Sequence, residues 1–160
     1  MEKESQKEML RQAIFSVYTK FKLHFYQEIF KRFQDREASL TTVETFCMET
    51  IQALGSPTIN EFATFMRISA PNATYKVNSL IRKRYLRKVR SAHDKREYHL
   101  EVTQKYLDYY NISTTYVSEV IDRIAEEFSP EDCAKLEEIL TVVSQELMPE
   151  VDLQNPHLPD

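Results

Sequence analysis

Residues Thr58–Thr103 read TINEFATFMRISAPNATYKVNSLIRKRYLRKVRSAHDKREYHLEVT. This pattern predicts a helix, a tight turn, a second helix, a strand, a basic tip and a returning strand. Thr58 suits the N-cap of the first helix because Glu61 follows at the spacing of a capping box. Ser69 suits the N-cap of the second helix, and Pro71 then falls in its first turn, where the missing N–H costs least. The segment therefore predicts a helix-turn-helix followed by a β-hairpin.

The second helix has one packing face and one polar face. On a helical wheel, Val77, Leu80 and Arg84 fall on the side of Ala73, which predicts that this side packs against the protein. The opposite face and its flanks carry hydrogen-bonding, aromatic and cationic groups: Pro71, Asn72, Thr74, Tyr75, Asn78, Ser79 and Arg82. A helix of this width fits the major groove of DNA.

The hairpin is predicted from alternation of side chains. Residues 86–91 and 98–102 alternate with a period of two, which is typical of paired strands. Between them lies a short polar tip with cationic ends: Ala92, His93, Asp94, Lys95 and Arg96. The whole segment is a winged helix-turn-helix in outline.

These residues resemble the MarR family of bacterial transcriptional regulators. The family's wing reads D-x-R and ends in an L-x-(L/V)-T strand, as do Asp94–Arg96 and Leu100–Thr103 here. Two positions depart from the family pattern. Arg84 stands where the family often has glycine before the wing, at a cost of about 1 kcal/mol if its backbone is left-handed. Tyr106 stands where many members have glycine after the strand-end threonine, and neither departure touches the predicted DNA-facing positions.

The resemblance extends over the chain and implies its organisation and function. It implies a mostly α-helical fold with a small β-wing, in which residues 36–102 form the DNA-binding domain and residues 1–35 and 103–160 form a helical dimerisation region. It also implies a homodimeric repressor, relieved by a small aromatic or lipid-like effector bound between the two regions. In this reading Asp94 holds Arg96, and Arg96 enters or borders the minor groove.

Charge is distributed unevenly along the chain. Between Arg67 and Arg96 there are ten lysine or arginine residues and one acid, Asp94, so this segment carries +9. Since the net charge is −4, the remainder carries −13. A solvated charged face would not require one sign over so long a stretch. The asymmetry favours a positive footprint for phosphate on one lobe.

Composition limits the class of protein. With 160 residues, 42% hydrophobic content and Gly55 as the single glycine, the chain suits a mostly helical globular fold. No apolar run approaches the roughly 20 residues that span a bilayer, and the charged N-terminus does not resemble a signal peptide, so a cytoplasmic location is expected. Phosphate-binding loops and zinc motifs are absent from the sequence, so neither an enzyme nor a cofactor is predicted.

The flanking helices predict a dimer. A first helix over about Glu4–Asp35 and a long helix after Thr103, followed by a last helix from Pro130, are more apolar than a monomer of this size can bury. The first helix has two apolar stripes, which predicts that it is buried on two sides. These stripes are Leu10, Ile14, Val17, Phe21, Phe25 and Ile29, and Phe15, Tyr26, Phe30 and Phe33.

The second helix is expected to begin after Ser39 and to stop at Gly55. Its predicted inward residues are Val43, Phe46, Cys47, Thr50, Ile51 and Leu54. Cys47 and Cys133 are interpreted as small buried hydrophobes, and the four histidines as surface residues rather than metal ligands. The tyrosines after Thr103 are either interface core, the preferred reading, or the wall of an effector pocket.

The site hypothesis assigns the candidate residues to two kinds of DNA contact, base reading and phosphate contact. Base reading is assigned to Pro71, Asn72, Thr74, Tyr75 and Asn78, and phosphate contact to Ser69, Lys76, Arg82, Lys88 and Arg90, with Asp94, Lys95 and Arg96 on the wing. The predicted partner is double-stranded DNA with a palindromic operator. A winged-helix protein-interaction module is the alternative; loss of the basic groove face would have indicated it, and that face is present.

Overall fold

The structure is a computed structural model that describes residues 2–34, 40–92, 94–110 and 112–153. In this part of the chain the fold is mostly helical with one antiparallel hairpin, which confirms the predicted fold class. The elements are α1 (Glu2–Gln34), α2 (Thr42–Ala53), α3 (Ile59–Phe65), α4 (Ala70–Arg82), β1 (Leu86–Arg90), β2 (Tyr98–Val102), α5 (Gln104–Tyr110), α6 (Ile112–Glu127) and α7 (Pro130–Glu146).

The elements divide into two compact units. The first unit contains α1 and α6, and the second contains α2 to α5, the hairpin and α7. The functional division into a DNA-binding domain over 36–102 and a dimerisation region over 1–35 and 103–160 stays a prediction.

In the first unit, α1 packs on α6 through aromatic side chains. The ring of Tyr116 lies edge-on to Phe21, with centroids 5.6 Å apart, and stacks on His24 at 3.7 Å. Ile29 is buried, whereas most of both predicted stripes of α1 is exposed, because α6 has 16 residues against 33 in α1 and covers only part of its length. The exposed stripe residues are Leu10, Ile14, Phe15, Val17, Tyr26 and Phe30; the side chain of Phe33 lies outside the described residues.

In the second unit, α2 begins after Ser39, as predicted, and starts with a capping box. Thr41 is the N-cap and Glu44 completes the box. The helix ends before Gly55, whose φ is +65°, as predicted. The predicted inward face was partly wrong: Val43 and Phe46 are exposed, because the buried face is rotated toward other residues. The buried residues of α2 are Thr45, Cys47, Met48 and Ile51.

The helix-turn-helix follows the predicted caps. Thr58 and Glu61 form a capping box at the start of α3, and Ser69 Oγ accepts a hydrogen bond from Asn72 N at the start of α4. The packing faces meet in a core in which each side chain is at most 5% exposed: Phe62, Ala63, Ala73, Val77, Leu80, Tyr85, Leu86 and Leu100. The prediction that Arg84 lies on the packing face was wrong. Arg84 follows the end of α4 and is exposed.

The hairpin is fixed in register and against α3. Leu86 pairs with Val102 and Arg90 pairs with Tyr98. Leu100 N donates to the carbonyl of Pro57 at 2.8 Å, and His99 Nδ1 lies 3.0 Å from the carbonyl of Ser56. His99 is therefore half-buried and hydrogen-bonded rather than a simple surface histidine.

Beyond Thr103 the single long helix of the prediction is described as α5 and α6, with Asn111 between them outside the described residues. Tyr106 on α5 is buried within this chain, and the reading of the tyrosines after Thr103 as interface core stays a prediction. The last helix starts as predicted, with Ser129 as N-cap and Pro130 in its first turn. No residue of α7 is buried within this chain.

Candidate nucleic-acid interface

The outer face of α4 is polar, exposed and backed by a tightly packed core. Ala73, Val77 and Leu80 are 0% exposed, so the rotation of α4 about its own axis is fixed. The opposite side therefore points into solvent, where Tyr75 is 71% exposed. The predicted base-reading residues lie on this helix: Pro71, Asn72, Tyr75 and Asn78 are exposed, and Thr74 is half-buried at its flank.

The predicted phosphate-contacting residues surround that face. Ser69 is exposed at the N-terminus of α4, Arg82 is exposed at its C-terminus, and Lys76 is half-buried along its side. Lys88 and Arg90 are exposed on β1. The structure thus places the base-reading candidates together on α4 and the cationic candidates on α4 and the wing.

Lys83 and Arg87 of the basic segment each pair with a glutamate on another element. Lys83 Nζ lies 2.7 Å from Glu44 Oε2. Arg87 donates to Glu101 Oε2 across the hairpin at 2.7 and 3.1 Å. The positive charge of these two residues is therefore partly offset by neighbouring acids, although the Arg87 side chain is itself exposed.

The wing tip is ordered by its own hydrogen bonds. Asp94 Oδ1 accepts from the backbone N–H of Arg96 at 2.9 Å and from Arg96 Nε at 3.3 Å. These bonds from Arg96 lower the pKa of the Asp94 carboxyl. Arg90 Nε donates to the carbonyl of Lys95 across the tip. The Arg96 side chain is still 92% exposed, so it is oriented without being covered.

One carboxylate ties α2 to the C-terminal end of α4. Glu44 Oε1 accepts from Ser79 Oγ at 2.9 Å, while Oε2 accepts from Lys83 Nζ at 2.7 Å and from Thr41 N at 2.8 Å. Burial raises the pKa of Glu44, but the hydrogen bonds from Lys83, Thr41 and Ser79 outweigh it, and the pKa is lowered. Glu44 is therefore a carboxylate at neutral pH.

The turn after α4 is held from the start of α5. Thr103 Oγ1 donates to the carbonyl of Arg84 at 2.8 Å, and Lys105 Nζ donates to the carbonyl of Lys83 at 3.1 Å. Lys105 also lies 4.1 Å from the centroid of the Tyr85 ring. Arg84, which stands where the MarR pattern often has glycine, has a left-handed backbone with a φ of 63°.

An open cleft of about 420 Å³ lies between the start of α3 and the wing. Its walls carry cations and acids side by side, so it has no single sign of charge. The lining residues are Thr58, Ile59, Asn60, Lys88, Asp94, Arg96, Glu97 and Tyr98.

Sequence reasoning missed Glu44, Glu101, Thr103 and Lys105 as residues that shape this surface. The spacing of Thr41 and Glu44 is readable as a capping box, but Ser79 and Lys83 lie 35 and 39 residues away from Glu44. Pairing over such distances follows from packing and has no local signal.

The described residues contain no group of three or more His, Cys, Asp or Glu side chains placed to hold a metal ion. None of the helices in the described ranges is both long enough and apolar enough to cross a membrane.

Comparison with known proteins identifies the winged segment. The model of the MarR family matches residues 40–97, which confirms the resemblance inferred from the sequence. No curated protein sequence is significantly similar to the chain.

Solved structures of similar fold cover nearly the whole chain. A MarR family protein from Bacillus stearothermophilus has a TM-score of 0.62 at 16% identity, covering 90% of this chain and 96% of its own. Streptococcus pneumoniae FabT, solved in complex with DNA, has a TM-score of 0.60 at 22% identity, covering 91% and 99%. The YusO protein from Bacillus subtilis has a TM-score of 0.56 at 14% identity, covering 89% and 97%. At these identities the likeness shows the fold.

Proposed function

We propose that this chain, whose residues 40–97 match the model of the MarR family, is a homodimeric, sequence-specific DNA-binding transcriptional regulator. The observation that carries the proposal is the exposed polar face of α4, flanked by cations on α4 and the wing. The similar fold of FabT, which was solved in complex with DNA, supports the same function. A regulator of this kind would act on DNA in the cytoplasm.

Base reading is proposed for the outer face of α4. Asn72 and Asn78 offer paired donor and acceptor groups that match adenine in the major groove. Thr74 offers a methyl group to thymine, and Tyr75 and Pro71 offer apolar surface to sugars or methyl groups. An A·T-rich half-site is therefore the chemical expectation.

Phosphate contact is proposed for cations and hydroxyls around that face. The hydroxyl of Ser69 lies at the helix N-terminus, where backbone N–H groups also favour anions. The other proposed contacts are Lys76, Arg82, Lys88, Arg90 and Lys95, whose charge supplies sequence-independent, salt-sensitive affinity. Arg96 is proposed to enter or border the minor groove, held in direction by Asp94.

Dimerisation is proposed through the apolar surfaces that one chain leaves in solvent. On α1, Leu10, Ile14 and Phe15 are exposed, and on α7, Ile139 and Leu140 are exposed. A helix of 17 residues without a buried side chain gains little from its own chain, because helices are stabilised mainly by packing an apolar face. A second copy would cover these faces and place two α4 helices on an inverted repeat with half-site centres roughly 10 base pairs apart.

Repression relieved by a small aromatic or lipid-like effector completes the proposal. This part is supported by the family resemblance alone, and the effector's chemistry would be found by screening ligands for release of bound DNA.

The proposal is tested by selecting bound sequences from a random DNA pool and measuring their affinity by mobility shift. We expect enrichment of an A·T-rich inverted repeat, bound at least about a thousandfold more tightly than unrelated DNA. Recovery of no common sequence would contradict it.

A further inference from the structure

The carboxylate of Glu44 joins the start of α2 to the C-terminal end of α4. It caps the start of α2 through Thr41, and it holds Ser79 and Lys83 in the last turn and C-cap of α4. Its side chain is 12% exposed, and that of Lys83 is 32% exposed. A pair shielded to this degree is weakened less by salt than one on the open surface.

We infer that Glu44 is a positioning residue: it sets the tilt of α4 against α2 and thereby the base preference of the protein, without touching DNA itself. The inference rests on the proposed DNA-binding function. Lys83 is assigned to this tie rather than to phosphate contact, because its ammonium group is engaged with Glu44.

The geometry of α4 explains why hydrogen bonds at its C-terminal end affect the positions of side chains at its N-terminal end. The core residues of α4 fix its rotation about its axis, but a tilt changes the path of the whole helix. From Ser79 back to Pro71 the helix rises about 12 Å, so a tilt of about 5° displaces the N-terminal side chains by about 1 Å. A hydrogen bond to a base lengthened by that amount is lost. Glu44 acts at the end of α4 opposite to the first base-reading residues.

The chain offers a matched control in Glu61. Both glutamates complete a capping box at a helix start, Glu44 with Thr41 and Glu61 with Thr58. Glu44 also bonds Ser79 and Lys83, whereas the hydrogen bonds of Glu61 in the described structure go to Thr58. Glu44→Gln and Glu61→Gln each remove one negative charge and weaken one cap, so they differ in the tie to α4.

Loss of the negative charge of Glu44 would by itself strengthen binding to DNA, which is the opposite of the effect expected from a positioning role. Removing a carboxylate near a DNA-binding face reduces repulsion of phosphate and strengthens binding to any sequence. If Glu44 positions α4, Glu44→Gln should instead weaken binding to the selected site while binding to unrelated DNA stays equal or strengthens.

The experiment measures the affinity of the full-length protein for its selected site and for unrelated DNA of equal length. We expect the ratio of the two affinities to fall roughly tenfold in Glu44→Gln and to stay near the wild-type value in Glu61→Gln. Equal ratios in the two variants would overturn the inference. Thermal unfolding of both variants, measured in parallel, shows that each is folded at the binding temperature.

A second variant removes the same interaction between Glu44 and α4 without disturbing the N-cap of α2. Lys83→Met leaves the Thr41–Glu44 box in place and should lower the affinity ratio by a similar factor. The double variant Glu44→Gln/Lys83→Met should lose little more than either single one, because both remove the same interaction. Losses that multiply in full would overturn the inference.

If the wild-type protein selects no sequence, the proposed function fails and the inference with it; a selective wild type with an unaffected Glu44→Gln overturns the inference alone.

Discussion

The phenol of Tyr106 on α5 donates a hydrogen bond to Glu49 Oε1 on α2 at 2.7 Å, and the tyrosine is 1% exposed. Burial raises the pKa of Glu49, and the bond from Tyr106 lowers it only in part, so the pKa stays above its ordinary value. This pair joins the start of α5 to the helix that underlies α4. It also makes the stability of the fold dependent on pH.

Glu49→Gln should stabilise the protein at neutral pH. Because the carboxyl holds its proton to higher pH in the folded state than in the unfolded chain, folding takes up a proton, and stability falls as pH rises from the ordinary value through the raised one. Glutamine keeps an oxygen acceptor for Tyr106 and carries no charge. Denaturant midpoints measured from pH 4 upward should therefore separate, with the variant above wild type at pH 7 and close to it at the acid end.

Tyr106→Phe should destabilise the protein at neutral pH, the opposite of the effect expected for Glu49→Gln. It leaves the half-buried carboxylate without this donor, so the pKa of Glu49 should rise further and stability at pH 7 should fall by about 1–3 kcal/mol. Parallel pH profiles for wild type and Glu49→Gln would contradict the assignment of this pH dependence to the pair.

Arg84→Gly should stabilise the fold. The backbone of Arg84 is left-handed, with a φ of 63°, where a side chain costs about 1–2 kcal/mol and glycine does not. Part of that gain is lost because glycine makes the unfolded chain more flexible, so we expect a net gain of about 0.5–1 kcal/mol. The matched control is Arg82→Gly in the last turn of α4, which should destabilise by a similar amount. A loss of stability in both variants, measured by urea unfolding, would refute the strain at Arg84.

Arg96→Ala should weaken binding to every selected site by about 1–3 kcal/mol. Asp94→Ala keeps the cation but removes the bonds that orient it, so it should weaken the selected site less than Arg96→Ala does. Since Asp94→Ala also removes a negative charge, its binding to unrelated DNA should be equal or stronger. Mobility-shift titrations of both variants test the two roles, and unchanged binding by Arg96→Ala would reject the groove contact.

Dimer formation should depend on the exposed apolar faces. Sedimentation of the wild-type protein at micromolar concentration should give the mass of two chains. Replacing Ile139 and Leu140 on α7 with glutamate should shift the protein toward a single-chain mass, because charges at an interface core are costly to bury. The control Val89→Glu on the wing, which is distant in sequence from these helices, should leave the mass unchanged. A wild-type protein that stays monomeric with full helicity would contradict the proposed dimer.

The helix-turn-helix and wing could be read from the sequence because their signals are local. The caps at Thr58 and Ser69, the buried period of Ala73, Val77 and Leu80, and the alternation along the hairpin each depend on neighbours within a few residues. At Arg84 the family pattern, which often has glycine, indicated what a left-handed backbone would cost, and the structure shows that the backbone is left-handed there.

What the sequence could not provide depends on packing partners. A helical wheel marks apolar residues but does not say which surface covers them, so Val43 and Phe46 were assigned to the core and are exposed. The ties from Glu44 to α4 and from Tyr106 to Glu49 join residues 35 to 57 positions apart, and no spacing rule predicts them.

The central claim is that α4 reads bases while the surrounding cations bind phosphate. Comparing selected-site patterns and the dependence of log K on log salt for Asn72→Ala, Thr74→Ala and Lys88→Ala tests it most directly. We expect Asn72→Ala and Thr74→Ala to relax base preference with nearly wild-type salt dependence, and Lys88→Ala to weaken all sequences alike and reduce the salt slope by about one. The claim is contradicted if Asn72→Ala or Thr74→Ala keeps the wild-type site pattern while Lys88→Ala changes it.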